Sequence, residues 1–221
     1  MDATNKISIN FPLRGEWRFL RPPGHHPFAF DFVKMDSERK KYSKCNKINF
    51  LLSHIPANKY YCWEQPVYSP IDGIVIQTGT GWKDHKETNL WETIRIWYNA
   101  TYKSKPEKMD GKLDLRPNVG NYVMIKAKDE FIVFLAHLKN GSIKVKTGQV
   151  LNSGELIGCV GNSGNSTAPH LHINLFDQMN DPIQAKVLPF VFNKYDELTD
   201  DSKWEKHRLN IPKVKAFIKL L

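Results

Sequence analysis

Short segments with apolar and polar positions alternating at period two recur along the chain and predict strands. FAFDFV, GIVIQT, GNYVMIKA, EFIVFLAHL, SIKVK, ELIGCVG and HLHINLF are rich in β-branched and aromatic residues, with Gly, Asn, Asp, Ser and Pro between them. In the second half of the chain they follow one another closely. That spacing suits antiparallel hairpins and not βαβ units. The predicted core is therefore mainly β, a small antiparallel sheet or barrel-sandwich domain.

Two stretches break the pattern. Residues 33–63 turn polar and then mixed, which predicts a long loop or a short helix. Residues 79–118 separate GIVIQT from GNYVMIKA and include TNLWETIRIWY, where Leu90, Ile94 and Trp97 fall at helical spacing. A structureless loop of that length is unusual in a compact domain, so an inserted element near the active face is expected. At the C-terminus, Pro212 followed by Val214, Phe217, Ile218 and Leu221 predicts an amphipathic helix packed on the core. The expected organisation is a domain over residues 1–199, with insertions near 33–63 and 79–118, and a basic amphipathic tail over residues 200–221.

Composition adds bounds. With 221 residues, 41% hydrophobic and 25% charged, the chain is long enough for one sizeable core, and disorder or collagen-like order is excluded. No apolar run reaches the length of a membrane span. Lys and Arg total 32 against 23 for Asp and Glu, a balance that favours acidic partners. The excess is spread along the chain as a solvated basic surface, with a mild cluster at Lys203, Lys206, Arg208, Lys213, Lys215 and Lys219, and no nucleic-acid partner is expected. Cys45, Cys62 and Cys159 make an odd count, which argues against a disulfide framework. Cys159, in LIGCV, reads as a core thiol. Cys45 and Cys62 could pair in an oxidising compartment. No CxxC is present, so a cysteine zinc site is not expected.

Candidate chemistry lies in three short motifs. In PHLHINL, His170 and His172 stand two apart, so a strand places both imidazoles on one face while Leu171 and Ile173 turn into the core. In EFIVFLAHL, His137 closes a strand face shared with Phe131, Val133 and Leu135, and its functional reading is a strand-end histidine facing the same groove as His170 and His172. In HHPFAFDF, His25, His26 and Asp31 cluster where a loop turns into a strand. Two imidazoles and one carboxylate supply the three protein ligands of a catalytic zinc site, with the fourth position left for water.

With these motifs in place, the chain resembles the lysostaphin-type (LytM-domain) zinc endopeptidases. The resemblance runs through PLRGEW, HHPFAFDF, QPVYSPIDGIVI and GNYVMIKA. It is most specific from Leu135 to Leu175, where LAHLKNGSIKVKTGQVLNSGELIGCVGNSGNSTAPHLHINL carries HL, GQV, GExIG and GNSGxSTxPHLH in order. It implies a small antiparallel β domain with a zinc ion on the floor of a narrow groove and peptide bonds of bacterial peptidoglycan as substrate. It also implies Asp31 and His172 as zinc ligands, a third from a histidine just before Asp31, and His137 with His170 as the catalytic pair. The glycines of GNSGNST would make a tight turn that delivers His170 and His172 to the groove.

One position departs from the family pattern. Three residues usually separate the first histidine from the aspartate, and that place here is taken by Pro27, which cannot ligate. His26 needs the smaller insertion and is the preferred ligand, with His25 as the alternative. If neither reaches the metal, the domain is a non-catalytic member that binds cell wall or regulates another hydrolase. A lipoyl-like carrier is a third reading of the GQVLNSGELIG hairpin, but no flanked lysine stands at its tip. No Glu sits as in HExxH, so the expected base is histidine. The opening stretch MDATNKISINFPLRGEW lacks a basic start followed by an apolar core. The compartment is thus cytoplasm, or the cell envelope implied by the resemblance and reached by a route this stretch does not show. The sequence leaves the cleaved bond and the oligomeric state open.

Overall fold

A computed structural model describes residues 6–22, 25–98, 107–109, 112–178 and 184–220. One large sheet dominates. Its hydrogen-bonded order starts at Ile7–Ile9 and passes through Phe190–Leu198, Phe217–Leu220, Gly15–Leu20 and Phe30–Val33. It continues through Leu171–Phe176, Ile132–Leu138, Asn121–Lys126 and Gly73–Gly79 to Val150–Leu151. The pairings at the centre are antiparallel, as the hairpin spacing predicts. Ile7–Ile9 joins Phe190–Leu198 in parallel, so the sheet is mixed, and its path does not close into a barrel.

Side-chain alternation sorts the central strands onto two faces. Val123, Ile125, Val133, Leu135, Leu171, Ile173 and Leu175 enter the main core. Tyr122, Met124, Ile132, Phe134 and Ala136 form a second apolar layer on the opposite face. The strand Ile132–Leu138 is therefore buried along its whole length. Burying each such aliphatic side chain contributes roughly 1.5–3 kcal/mol.

The interruptions hold short elements. Residues 33–63 contain the helix Lys47–Leu52 and a 3-10 turn at Ala57–Lys59. Residues 79–118 contain the helix Leu90–Tyr98, which starts at Asn89 because the Asn89 side-chain oxygen accepts the Glu92 N–H at 2.7 Å. Among its described side chains Ile96 is the buried one, whereas Leu90 is half-buried and Ile94 exposed. The Trp97 side chain lies outside the described residues. The two insertions are tied together by pairing of Ile55 with Thr88 and Pro56 with Glu87.

The C-terminal helix expected from the sequence is instead two strands, Trp204–Asn210 and Phe217–Leu220. Phe217–Leu220 pairs with Gly15–Leu20 and Phe190–Leu198, and it buries Ile218 and Leu220 alternately. The long-range ladder overrides a local spacing that suits either period. The tail is thus part of the main sheet. The cysteines are free thiols. Cys62, and not Cys159, is the deeply buried one. Its burial pushes the thiol up to about 12, and its S–H donates to the Pro169 carbonyl at 2.8 Å, next to His170.

Candidate metal centre

His172 and Asp31 lie directly opposite each other on the paired strands Leu171–Phe176 and Phe30–Val33. Residues so paired share a sheet face at close range. His172 Nδ1 approaches Asp31 Oδ1 to 2.8 Å. His170, two positions earlier, falls on the same face, and its Nε2 stands 3.6 Å from Asp31 Oδ2. Leu171 and Ile173 are fully buried on the other face.

His137 reaches this face by a different route. Asn121 pairs with Leu138 and Val123 with Leu135, so Ala136 and His137 together oppose Tyr122 in a β-bulge. His137 takes φ 60°, a left-handed conformation uncommon outside glycine. Strict alternation would leave His137 on the core face with Leu135, whereas its functional reading needs it in the groove with His170 and His172. The bulge turns it to the groove, where its ring centroid is 4.6 Å from that of His170 and 6.0 Å from that of His172. Such conformations cost about 1–3 kcal/mol and gather at functional sites.

The segment before Asp31 places His25, and not the preferred His26, beside the carboxylate. The His26 carbonyl accepts the Ala29 N–H at 2.9 Å, closing a turn with Pro27 in the second place, where its fixed φ is favourable. The His26 side chain is occupied locally, its Nδ1 accepting the Phe28 N–H at 3.2 Å, and the residue is exposed. His25 lies before the turn and points inward, with Nε2 3.5 Å from Asp31 Oδ2. One ligand atom from each of His25, Asp31 and His172 falls within 4.8 Å of the others.

Hydrogen bonds fix the tautomers. His137 Nδ1–H donates to the Ser163 carbonyl at 2.8 Å, and His170 Nδ1–H donates to the Ala168 carbonyl at 2.7 Å. Both rings therefore keep Nε2 free. His172 meets acceptors on both sides, with Nδ1 2.8 Å from Asp31 Oδ1 and Nε2 3.1 Å from the Asn174 side-chain oxygen. A hydrogen bond at the far nitrogen is how ligating imidazoles are commonly oriented. Asn174 was missed in the sequence, although the same alternation that pairs His170 with His172 places it next on that face.

Electrostatics follow from burial and from three imidazoles around one carboxylate. Burial works to raise the Asp31 pKa, but His170, His172 and His25 outweigh it and hold the carboxyl well below the usual range. Burial lowers the pKa of His25, with His172 and His170 adding to the effect against Asp31. Burial, then the charges of His170 and His172, push His137 well below its ordinary value. Neutral imidazoles and an ionised carboxylate are the states that metal binding requires.

The turn that carries His170 is held from outside. Gly164 has φ 73°, and a Cβ there would strike the Gly120 backbone nitrogen. Asp84, from the 79–118 insertion, accepts the backbone N–H groups of Asn162 at 2.7 Å and Asn140 at 2.8 Å. No sequence signal marked Asp84, because its partners are backbone groups far along the chain.

Residues 108–184 match the model of peptidase family M23. A segment of 59 residues is 42% identical to the peptidoglycan DD-endopeptidase ShyA of Vibrio cholerae, covering 27% of this chain and 13% of that protein's length. Among solved structures, the chain is similar to a zinc-containing peptidase from Vibrio cholerae, with 21% identity and TM-score 0.39 over 77% of this chain and 37% of the other. It is also similar to the catalytic domain of lysostaphin from Staphylococcus simulans, with 17% identity and TM-score 0.40 over 83% of this chain and 87% of the other. His137, His170 and His172 fall inside the family match, whereas His25 and Asp31 precede it. The resemblance read from the sequence is borne out: residues 108–184 carry the signature of peptidase family M23, the lysostaphin type.

Proposed function

We propose that this chain is a zinc-dependent peptidase that hydrolyses amide bonds of peptidoglycan peptides. The observation that carries the reading is the convergence of His25, Asp31 and His172 beside the His137–His170 pair. The donor set suits zinc: two imidazoles and one carboxylate match its preference for nitrogen and oxygen ligands. Neighbouring ligands on a tetrahedral zinc stand roughly 3.4 Å apart, and the 3.5 Å between His25 Nε2 and Asp31 Oδ2 suits that spacing. His172 would present Nδ1, since its Nε2–H is directed at Asn174.

When bound, zinc acidifies a water molecule and polarises the scissile carbonyl. The remaining work belongs to the histidines. His137, held neutral with Nε2 free, accepts the water proton and returns it to the leaving amine. His170, with its own Nε2 free on the same side, stabilises the developing oxyanion once protonated. The Ser163 and Ala168 carbonyls keep both rings aimed throughout.

The competing reading, a non-catalytic binding module, grew from the unusual spacing in HHPFAFD. The inward placement of His25 supports the enzyme instead. The test is hydrolysis of purified peptidoglycan, followed by new free amino groups. We expect cleavage by the zinc-loaded protein, loss after chelation, and recovery on adding back zinc. Undiminished cleavage by protein shown to be metal-free would contradict the mechanism. Tight zinc binding without cleavage would favour the module.

A further inference from the structure

Two short helices turn apolar stripes to solvent. On Lys47–Leu52, Phe50 packs against the main core. Ile48, Leu51 and Leu52 fall at i, i+3 and i+4 on the other side of that helix and are exposed, Leu52 by 83%. On Leu90–Tyr98, Ile96 is buried, while Trp91, Ile94 and Tyr98 form the outer stripe, with Trp91 75% exposed. Half of the twelve exposed large apolar side chains among the described residues sit on these two helices. Exposed apolar residues scattered singly are ordinary, whereas such a concentration marks an interaction surface.

Strand pairing brings the stripes to one place. Ile55 stands opposite Thr88 in an antiparallel pair, Leu52 precedes that pair by three residues and Trp91 follows it by three. The first helix therefore ends where the second begins. Positive charge gathers there too. From Arg39 to Trp63 the chain holds Arg39, Lys40, Lys41, Lys44, Lys47 and Lys59 and no Asp or Glu. The Lys44 N–H donates to the Lys59 carbonyl at 2.9 Å, and the Ala57 N–H donates to the Lys86 carbonyl at 2.8 Å. Lys44, Lys59 and Lys86 thus lie along the joined backbone that carries both helices. All three are exposed and take part in no ion pair among the described residues.

We propose that these two helices dock on the surface of an anionic lipid bilayer. Leu, Ile, Trp and Tyr flanked by lysines are the side chains of an interfacial element, with apolar groups at the acyl boundary and ammonium groups at the lipid phosphates. A second copy of the chain is a poorer occupant, since each copy carries a formal net charge of +9. The second insertion also braces the turn before His170, for the His85 Nε2–H donates to the Gly164 carbonyl at 2.7 Å. A bilayer docked on the helices would hold the metal groove close to the membrane, whatever bond that groove cuts.

The test is sedimentation of the full chain with vesicles at about 0.15 M ionic strength. One set is phosphatidylcholine alone, and the other is equal parts phosphatidylcholine and phosphatidylglycerol. We expect binding to the mixed vesicles, tighter by about tenfold or more than to the neutral ones. Leu51→Ser/Leu52→Ser and Trp91→Ser/Ile94→Ser should each weaken it by about tenfold or more without lowering the melting temperature, because these side chains are exposed. Val150→Thr/Leu156→Thr removes exposed apolar surface elsewhere and should change binding by no more than about twofold. Loss through one helix only would overturn the shared platform. No binding, equal binding to neutral vesicles, or equal losses in all three double variants would overturn membrane docking. Dimers in solution that Leu51→Ser/Leu52→Ser abolishes would overturn it in favour of a second copy.

Discussion

His172→Ala is expected to lose bound zinc and peptide hydrolysis together. In the proposed site its Nδ1, which lies 2.8 Å from Asp31 Oδ1, is one of three ligand atoms. Removing one ligand from a three-residue site leaves zinc too weakly held for catalysis, and activity should fall by about 10³-fold or more. Fold should persist, because the strand keeps its ladder with Phe30–Val33 and Ile132–Leu138 and its buried Leu171 and Ile173. Zinc analysis and thermal melting on the same preparation separate loss of metal from loss of structure. Full activity in metal-stripped His172→Ala protein would refute the assignment.

His137→Ala should behave differently. His137 is not among the clustered ligand atoms, so zinc should remain at one per chain. What disappears is a neutral imidazole with a free Nε2, held by the Ser163 carbonyl beside His170. Loss of a positioned general base lowers kcat by about 10²–10⁴-fold. KM should change little, because proton transfer matters only on the way to the transition state. The check is steady-state kinetics on zinc-loaded protein. A variant within a few-fold of the parent in kcat would mean that His170 alone carries the proton.

Much of this was legible in the chain because period-two alternation is a local property. It marked the strands and put His170 and His172 on one face. It also held Asn174, at the next position on that face. It failed where a local irregularity or a distant partner decides. The bulge at Ala136–His137 depends on pairing with Asn121–Lys126, so the means by which His137 faces the groove could not be read from the alternation in EFIVFLAHL. The final residues pair with Gly15–Leu20, some 200 positions earlier in the chain, and that ladder decides strand over helix. The sequence preferred His26 over His25 because counting residues ignores the turn. The turn at 26–29 consumes His26 and hands the inward position to His25.

The central claim is a metal centre made of His25, Asp31 and His172, and zinc stoichiometry in two neighbouring variants tests it most directly. Plasma emission analysis of His25→Ala and His26→Ala, each dialysed against limiting zinc, should give essentially no zinc for the first and one zinc per chain for the second. Full zinc in His25→Ala together with loss in His26→Ala would contradict it.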